Sequence, residues 1–167
     1  AYLQHLEMRP EDMQLIKNRL QGLMRQDIDD NLSNVLKRQL LEKAMEEGAW
    51  GISSGLEYTP GSFATTEEII QVASVLKGTN YPYVTHMRSE GDKLIEAVEE
   101  AIQIARGAGI PLHISHLKVE GKRNWNKADK LFKTIAKAEQ EGVKVTFDRY
   151  PYIAYNTGLA NLFPLWA

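Results

Sequence analysis

The sequence of 167 residues has no cysteine, no excess of basic residues and no long hydrophobic run. The lack of cysteine excludes disulfides, cysteine-based metal or iron–sulfur sites and a thiol nucleophile. Because 20 Lys and Arg residues face 22 Asp and Glu residues, no cationic surplus is available for a phosphate backbone, and nucleic acid is not an expected partner. The apolar stretches are far shorter than the roughly 20 residues that span a bilayer, so no membrane partner is expected.

The composition that remains is that of an ordinary globular unit, with 43% hydrophobic and 25% charged residues. No signal-peptide pattern opens the chain, which together with the missing cysteines predicts a cytoplasmic location. The chain begins at Ala1 without Met and stops at Ala167 within an apolar run. We therefore expect a segment of a longer protein.

Two amphipathic helices are predicted in the first 50 residues. The first follows Pro10, a polar turn covers residues 26–31, and the second begins at an N-cap, Ser33, and ends at Gly48. We expect a helical N-terminal segment, residues 1–32, followed by the main domain, residues 33–167.

Short β-like runs then alternate with helical patterns, which is typical of parallel βα units. The predicted strands cover residues 49–53, 83–86, 112–116 and 143–148, and the predicted helices cover residues 66–76, 90–106 and 126–140. The fold class is therefore α/β, with about four βα units that make half of a (β/α)8 TIM barrel. An open four-stranded sheet is the competing geometry.

Polar residues recur where these strands end. Ser54, His86, His116 and Asp148 follow one another at separations of 32, 30 and 32 residues, about one βα unit each. In a (β/α)8 barrel the reactive groups collect at the carboxyl ends of the strands. The spacing therefore predicts a functional site at this edge of the sheet.

The two histidines are candidate metal ligands, because imidazoles from neighbouring parallel strands can converge on one ion and imidazole binds zinc well. The alternative is a pair of buried, hydrogen-bonded histidines. Each is followed two residues later by a cation, Arg88 after His86 and Lys118 after His116. A cation at the rim of such a pocket suits a carboxylate or a phosphate.

Other polar residues have weaker signals. Asp148 could ligate a metal, act as a base or cap the turn before Pro151, and Tyr58 could offer its hydroxyl to a substrate. His113 is three residues before His116 and is expected on the opposite, helix-facing side of its strand. The glutamates near the helix after His86, Glu90 among them, look like a solvated face.

Four segments together resemble the N-acyl-D-amino-acid deacylases, or D-aminoacylases, of the amidohydrolase superfamily. They occur in the family's order and spacing, and the resemblance covers residues 33–167 as an internal part of a family member. The segments are GAWGISSGLEYTPG at 48–61, THMRSE at 85–90, ISHLK at 114–118 and DRYPY at 148–152.

The resemblance implies a zinc-dependent hydrolase that cleaves the amide bond of an N-acyl-D-amino acid, a small-molecule substrate, to give a carboxylate and a D-amino acid. It implies that His86 and His116 hold the zinc. By the same resemblance Lys118 and Tyr150 contact the substrate carboxylate, Tyr58 is near the scissile carbonyl, and Arg88 is near the same pocket.

Some of the family pattern has no counterpart in the sequence, namely the early His-x-His pair, the metal-ligating cysteine and the late aspartate that acts as general base. No catalytic residue is therefore assigned within this chain, and we expect the chain alone to be inactive. One alternative is a cyclic-amide hydrolase of the same superfamily, of the dihydroorotase or hydantoinase type. Another is a non-catalytic half-barrel that self-associates into a homo-oligomer through its exposed sheet edges.

Overall fold

The computed structural model of the chain describes residues 26–158. The chain divides into two compact units, residues 1–49 and residues 50–167. The predicted division after residue 32 stays a prediction. The helix predicted after Pro10 lies outside the described residues.

The first unit contains helix α1, Gln26–Glu46. The turn predicted over residues 26–31 is wrong, because these residues are helical, and Ser33 lies inside the helix rather than at its N-cap. The stretch is polar, but it contains neither Gly nor Pro, which are the residues that destabilise a helix most. Each of the other residue types lowers helix stability by only ~0.7 kcal/mol or less relative to Ala. The predicted end is confirmed, since Gly48 has a φ of +102° and its N–H donates to the carbonyl of Met45.

The second unit is built on a sheet of four parallel strands. The strands are β1 (Ile52–Gly55), β2 (Tyr83–His86), β3 (Leu112–Ile114) and β4 (Val145–Phe147), and they are neighbours in that order. The predicted α/β class with parallel strands is confirmed. β3 and β4 end earlier than predicted, at Ile114 and Phe147, so that His116 and Asp148 lie in the loops that follow.

Helices connect the strands, as expected for βα units. They are α2 (Thr66–Ala73), α3 (Leu94–Ala108) and α4 (Ala128–Gln140), with short 3-10 turns at Gly61–Phe63, Ser74–Leu76 and Lys122–Lys127. Thr65 is the N-cap of α2, and its hydroxyl accepts from the N–H of Glu68. Gly109 ends α3 in the left-handed conformation that glycine favours.

The core lies between the sheet and the helices. Tyr83, Thr85, Leu112 and Ile114 are fully buried on one face of the sheet, together with the apolar stripe of α3. The residues that alternate with them, His113 among them, are less buried. His113 therefore lies on the face away from this core, and the prediction that it faces the helices is wrong. The period of two does not extend to His116, because β3 ends two residues before it.

The outer strands of the described sheet are β1 and β4. Phe147 of β4 and Phe132 of α4 are about half exposed, and their ring centroids are 6.2 Å apart. Self-association through such an edge stays a prediction. Among residues 26–158, no helix has the length and apolar character needed to cross a membrane.

Candidate active site

The carboxyl ends of the strands surround a cavity of about 210 Å³. Five of the six predicted site residues line it, namely Tyr58, His86, His116, Lys118 and Tyr150. The remaining lining residues are Glu57, Glu90, Glu120, Tyr155, Asn156 and Thr157. The cavity combines two imidazoles, three carboxylates, one ammonium group and three phenols. The imidazoles and carboxylates can bind a cation, and the ammonium group and phenols can donate hydrogen bonds to a polar ligand.

His86 and His116 face each other in this cavity. The Nδ1 atom of His86 is 2.8 Å from the Nε2 atom of His116, and the ring centroids are 4.4 Å apart. The two rings approach because His86 is the last residue of β2, while His116 follows the end of β3 with a φ of +42°. A positive φ is uncommon for a residue other than glycine, and His116 combines it with the ring contact to His86.

In each ring, the nitrogen that does not face the other histidine (the outer nitrogen) contacts a carboxylate. Glu57 Oε2 is 2.6 Å from His86 Nε2, and Glu90 Oε1 is 2.9 Å from His116 Nδ1. Ligand atoms of His86, Glu90 and His116 lie within 4.8 Å of one another. Two imidazoles that meet at their inner nitrogens, each with an outer carboxylate, fit the requirements of a metal ion with nitrogen ligands.

Lys118 lies beside this pair with its side chain only 9% exposed. Its ammonium group forms an ion pair with Glu90 and lies 3.2 Å from the carbonyl oxygen of His116. It is also within 5.3 Å of the ring centroid of Tyr150 and 5.4 Å of that of Tyr155. Its position gives the cavity a fixed positive charge next to the histidines.

Three tyrosines form another part of the wall. The ring of Tyr58 packs on His86 with centroids 4.6 Å apart. The hydroxyl of Tyr150 is buried and has no hydrogen-bond partner among residues 26–158. The hydroxyl of Tyr155 donates to Glu120 at 2.6 Å, and this hydrogen bond, with burial and neighbouring carboxylates, raises the pKa of Tyr155 above its ordinary value. A buried hydroxyl without a partner is unfavourable, which suits the Tyr150 position to a bound polar group.

Arg88 does not line the cavity. Its guanidinium donates two hydrogen bonds to the carboxylate of Glu100 in α3 and one each to the carbonyls of Ser62 and Ala64. The hydrogen bond with Glu100 raises the pKa of Arg88 despite some burial. Arg88 thus ties the loop after β1, which carries Glu57 and Tyr58, to the first turns of α3.

Asp148 holds the end of β3. Its Oδ1 atom accepts from the backbone N–H of His116 at 2.8 Å, and its backbone pairs with Ile114 and Leu117. Its Oδ2 atom is 2.9 Å from Nε2 of His113, a contact that lowers the pKa of Asp148, with the His116 N–H contributing less. Asp148 thus caps the turn at His116, which is a different turn from the one before Pro151 that the sequence suggested.

Sequence reasoning missed the carboxylates of the cavity. Glu90 was expected on a solvated face, but it is only 3% exposed, so that expectation is wrong. It precedes α3 rather than belonging to it, because the helix starts at Leu94. The signal that was available is position, since Glu57 follows the end of β1 by two residues and Glu90 follows the end of β2 by four.

The chain matches no protein-family model. It is 44% identical to a D-aminoacylase of Alcaligenes xylosoxydans xylosoxydans over 124 residues, which are 73% of this chain and 25% of the relative. The chain is homologous to part of the D-aminoacylases. An N-acyl-D-aspartate deacylase of the same organism is 38% identical over 123 residues, 73% of this chain and 24% of that relative. The chain thus spans about a quarter of the length of the curated relatives it matches.

Solved structures of D-aminoacylases and a related deacylase also match the chain. A D-aminoacylase structure described as having a binuclear metal centre matches with a TM-score of 0.67 at 38% identity, over 72% of this chain and 25% of that one. The N-acyl-D-glutamate deacylase of Bordetella bronchiseptica, solved with zinc and a phosphonate inhibitor, matches with a TM-score of 0.66 at 36% identity, over 69% of this chain and 24% of that one. The predicted resemblance to an internal part of these amidohydrolases is confirmed, and homologous structures contain metal ions.

Proposed function

We propose that this chain forms the metal-binding and carboxylate-binding part of a zinc-dependent hydrolase that cleaves the amide bond of N-acyl-D-amino acids. The four βα units would then be half of a (β/α)8 barrel. The observation that carries the proposal is the close approach of two imidazole nitrogens, at 2.8 Å, next to the ammonium group of Lys118. The named relatives favour a deacylase over a cyclic-amide hydrolase.

The zinc ion would be held by Nδ1 of His86 and Nε2 of His116. When bound, it supplies Lewis-acid polarisation of the amide carbonyl and lowers the pKa of a bound water. Two protein ligands are fewer than the three that catalytic zinc sites usually have. We therefore expect the chain alone not to turn over substrate, and measurable release of a D-amino acid by the purified chain would contradict this expectation.

The substrate's α-carboxylate would be bound by Lys118 and Tyr150. Lys118 has three N–H donors, so it can contact a second carboxylate while it stays paired with Glu90. The unpartnered hydroxyl of Tyr150 would gain its hydrogen bond on binding. Tyr58, whose ring packs on His86, would direct its hydroxyl toward the carbonyl of the amide. A fixed carboxylate and a fixed carbonyl would supply two of the three contacts that distinguish the hands of an amino acid, and the cavity wall next to the side chain would supply the third.

Binding to the zinc-loaded chain tests this proposal without turnover. N-acetyl-D-alanine should bind more tightly than its L isomer, and more tightly than N-ethylacetamide, the same molecule without the carboxylate. Calorimetric titration of all three ligands gives the comparison. Equal affinity for N-acetyl-D-alanine and N-ethylacetamide would contradict the assigned role of Lys118 and Tyr150.

A further inference from the structure

The two histidines present different nitrogens to each other. His86 uses Nδ1 and His116 uses Nε2, and the other nitrogen of each ring contacts a carboxylate oxygen. An ionised carboxylate can only accept a hydrogen bond, so the nitrogen that it contacts has to carry the proton. The contacts of Glu57 and Glu90 therefore correspond to a proton on Nε2 of His86 and on Nδ1 of His116.

Two contacts compete with this assignment. The first is the 2.8 Å approach of Nδ1 of His86 and Nε2 of His116, which would need one proton between these nitrogens without a cation and needs none when both bind the same ion. In the second, the ammonium group of Lys118, a donor, is 3.1 Å from Nδ1 of His116, which would favour a bare nitrogen there. Lys118 already has two better acceptors, the carboxylate of Glu90 and the carbonyl oxygen of His116. A carboxylate at 2.9 Å is also the stronger partner for an imidazole N–H. The proton of His116 is thus assigned to Nδ1.

We infer that Glu57 and Glu90 are positioning residues that fix opposite tautomers of His86 and His116, so that the free lone pairs of both rings point at one ion. The inference rests on the proposed metal site. It places Glu90 outside the ligand set, because the carboxylate contacts the His116 nitrogen that faces away from His86 and is paired with Lys118. The resemblance assigned no role to either glutamate.

The two glutamates differ in how they are held. Glu90 is buried between His116 and Lys118, whereas the side chain of Glu57 is 33% exposed and lies in the loop tied down by Arg88. Replacement of Glu57 is therefore the milder change for folding. Because Gln keeps a carbonyl oxygen as acceptor while Ala removes it, Glu57→Gln and Glu57→Ala separate the loss of the hydrogen bond from the loss of charge.

The test measures zinc affinity by chelator competition and nitrogen protonation by ¹⁵N NMR of the histidine rings. In the zinc-loaded chain we expect protons on Nε2 of His86 and Nδ1 of His116. Glu57→Ala should weaken zinc binding about 10- to 100-fold, and Glu57→Gln should recover most of this loss. Glu96→Ala, at an exposed position of α3, is the matched control and should change affinity less than about two-fold.

The outcomes separate this inference from the proposed function. Unchanged zinc affinity in Glu57→Ala, or protons on the opposite nitrogens, would overturn the inference and leave the metal site in place. A chain that bound no zinc would instead contradict the proposed function, on which the inference rests. Glu90→Gln gives a second arm, in which the retained acceptor should keep the proton of His116 on Nδ1.

Discussion

The ends of β2 and β3 have the same sequence pattern, a histidine followed two residues later by a cation, yet their cations have different surroundings. Arg88 forms four hydrogen bonds that join α3 to the loop after β1, and it is absent from the cavity lining. Lys118 lies within the cavity and contacts Glu90 and His116. The pattern therefore predicts the position of the histidines better than the role of the cations.

The backbone explains the difference. β2 stays extended through His86, whereas β3 ends at Ile114 and His116 has a φ of +42°. The turn brings Lys118 back to the carbonyl oxygen of its own His116. The planar guanidinium of Arg88 suits two carbonyls and a bidentate carboxylate, while the ammonium of Lys118 is a compact charge beside a cavity.

The largest expected effect separates the two cations in ligand binding. Lys118→Met should weaken the binding of N-acetyl-D-alanine to the zinc-loaded chain about 10- to 100-fold, because a charged hydrogen bond to the carboxylate is lost. Arg88→Met should leave this affinity within about three-fold, since Arg88 does not touch the cavity. Calorimetry on both variants checks the contrast, and equal losses would contradict it.

Arg88 should contribute to the stability of the fold rather than to ligand binding. Arg88→Met should lower the free energy of unfolding by about 2–4 kcal/mol, because it removes four hydrogen bonds and leaves the carboxylate of Glu100 largely buried without its partner. Urea denaturation measures the change. Arg88→Lys, which keeps the charge without the planar fork, should lose less. A change below about 0.5 kcal/mol in Arg88→Met would contradict the structural role.

The same pair predicts a dependence on pH. Burial raises the pKa of Glu100, but hydrogen bonds from Arg88 and Thr66 outweigh it and leave the pKa lowered. A lowered pKa in the folded state contributes stability above the ordinary glutamate pKa of about 4.3, and this contribution is lost as the pH falls through the folded value. The free energy of unfolding should therefore fall more steeply on acidification in the native chain than in Arg88→Met. Identical slopes would exclude this contribution.

The smallest expected effect concerns the turn after β3. Asp148→Ala removes the acceptor for the N–H of His116 and should lower stability by about 1 kcal/mol, with a several-fold loss of zinc affinity. Asp148→Asn keeps an acceptor oxygen and should behave more like the native chain. Urea denaturation and zinc titration of the two variants measure these effects. Equal stability and zinc affinity of Asp148→Ala and Asp148→Asn would contradict the role of Asp148 as the acceptor for the His116 N–H.

Much of the fold could be predicted because it depends on local patterns. Alternating strands and helices indicated the parallel sheet, and the spacing of about 30 residues placed His86 and His116 at its edge. The early end of β3 could not be predicted, since it depends on the turn at His116 and its contact with Asp148. Glu57 and Glu90 were missed because their partners are 29 and 26 residues away in sequence, contacts that only the fold brings together.

The most direct test of the metal site is the zinc stoichiometry of the purified chain, with His86→Ala and His116→Ala measured alongside. Inductively coupled plasma mass spectrometry after dialysis gives the zinc content of all three proteins. The facing nitrogens of the two rings predict about one zinc ion per native chain and a loss of zinc in both variants. A native chain without zinc, or variants that keep it, would contradict the proposed site.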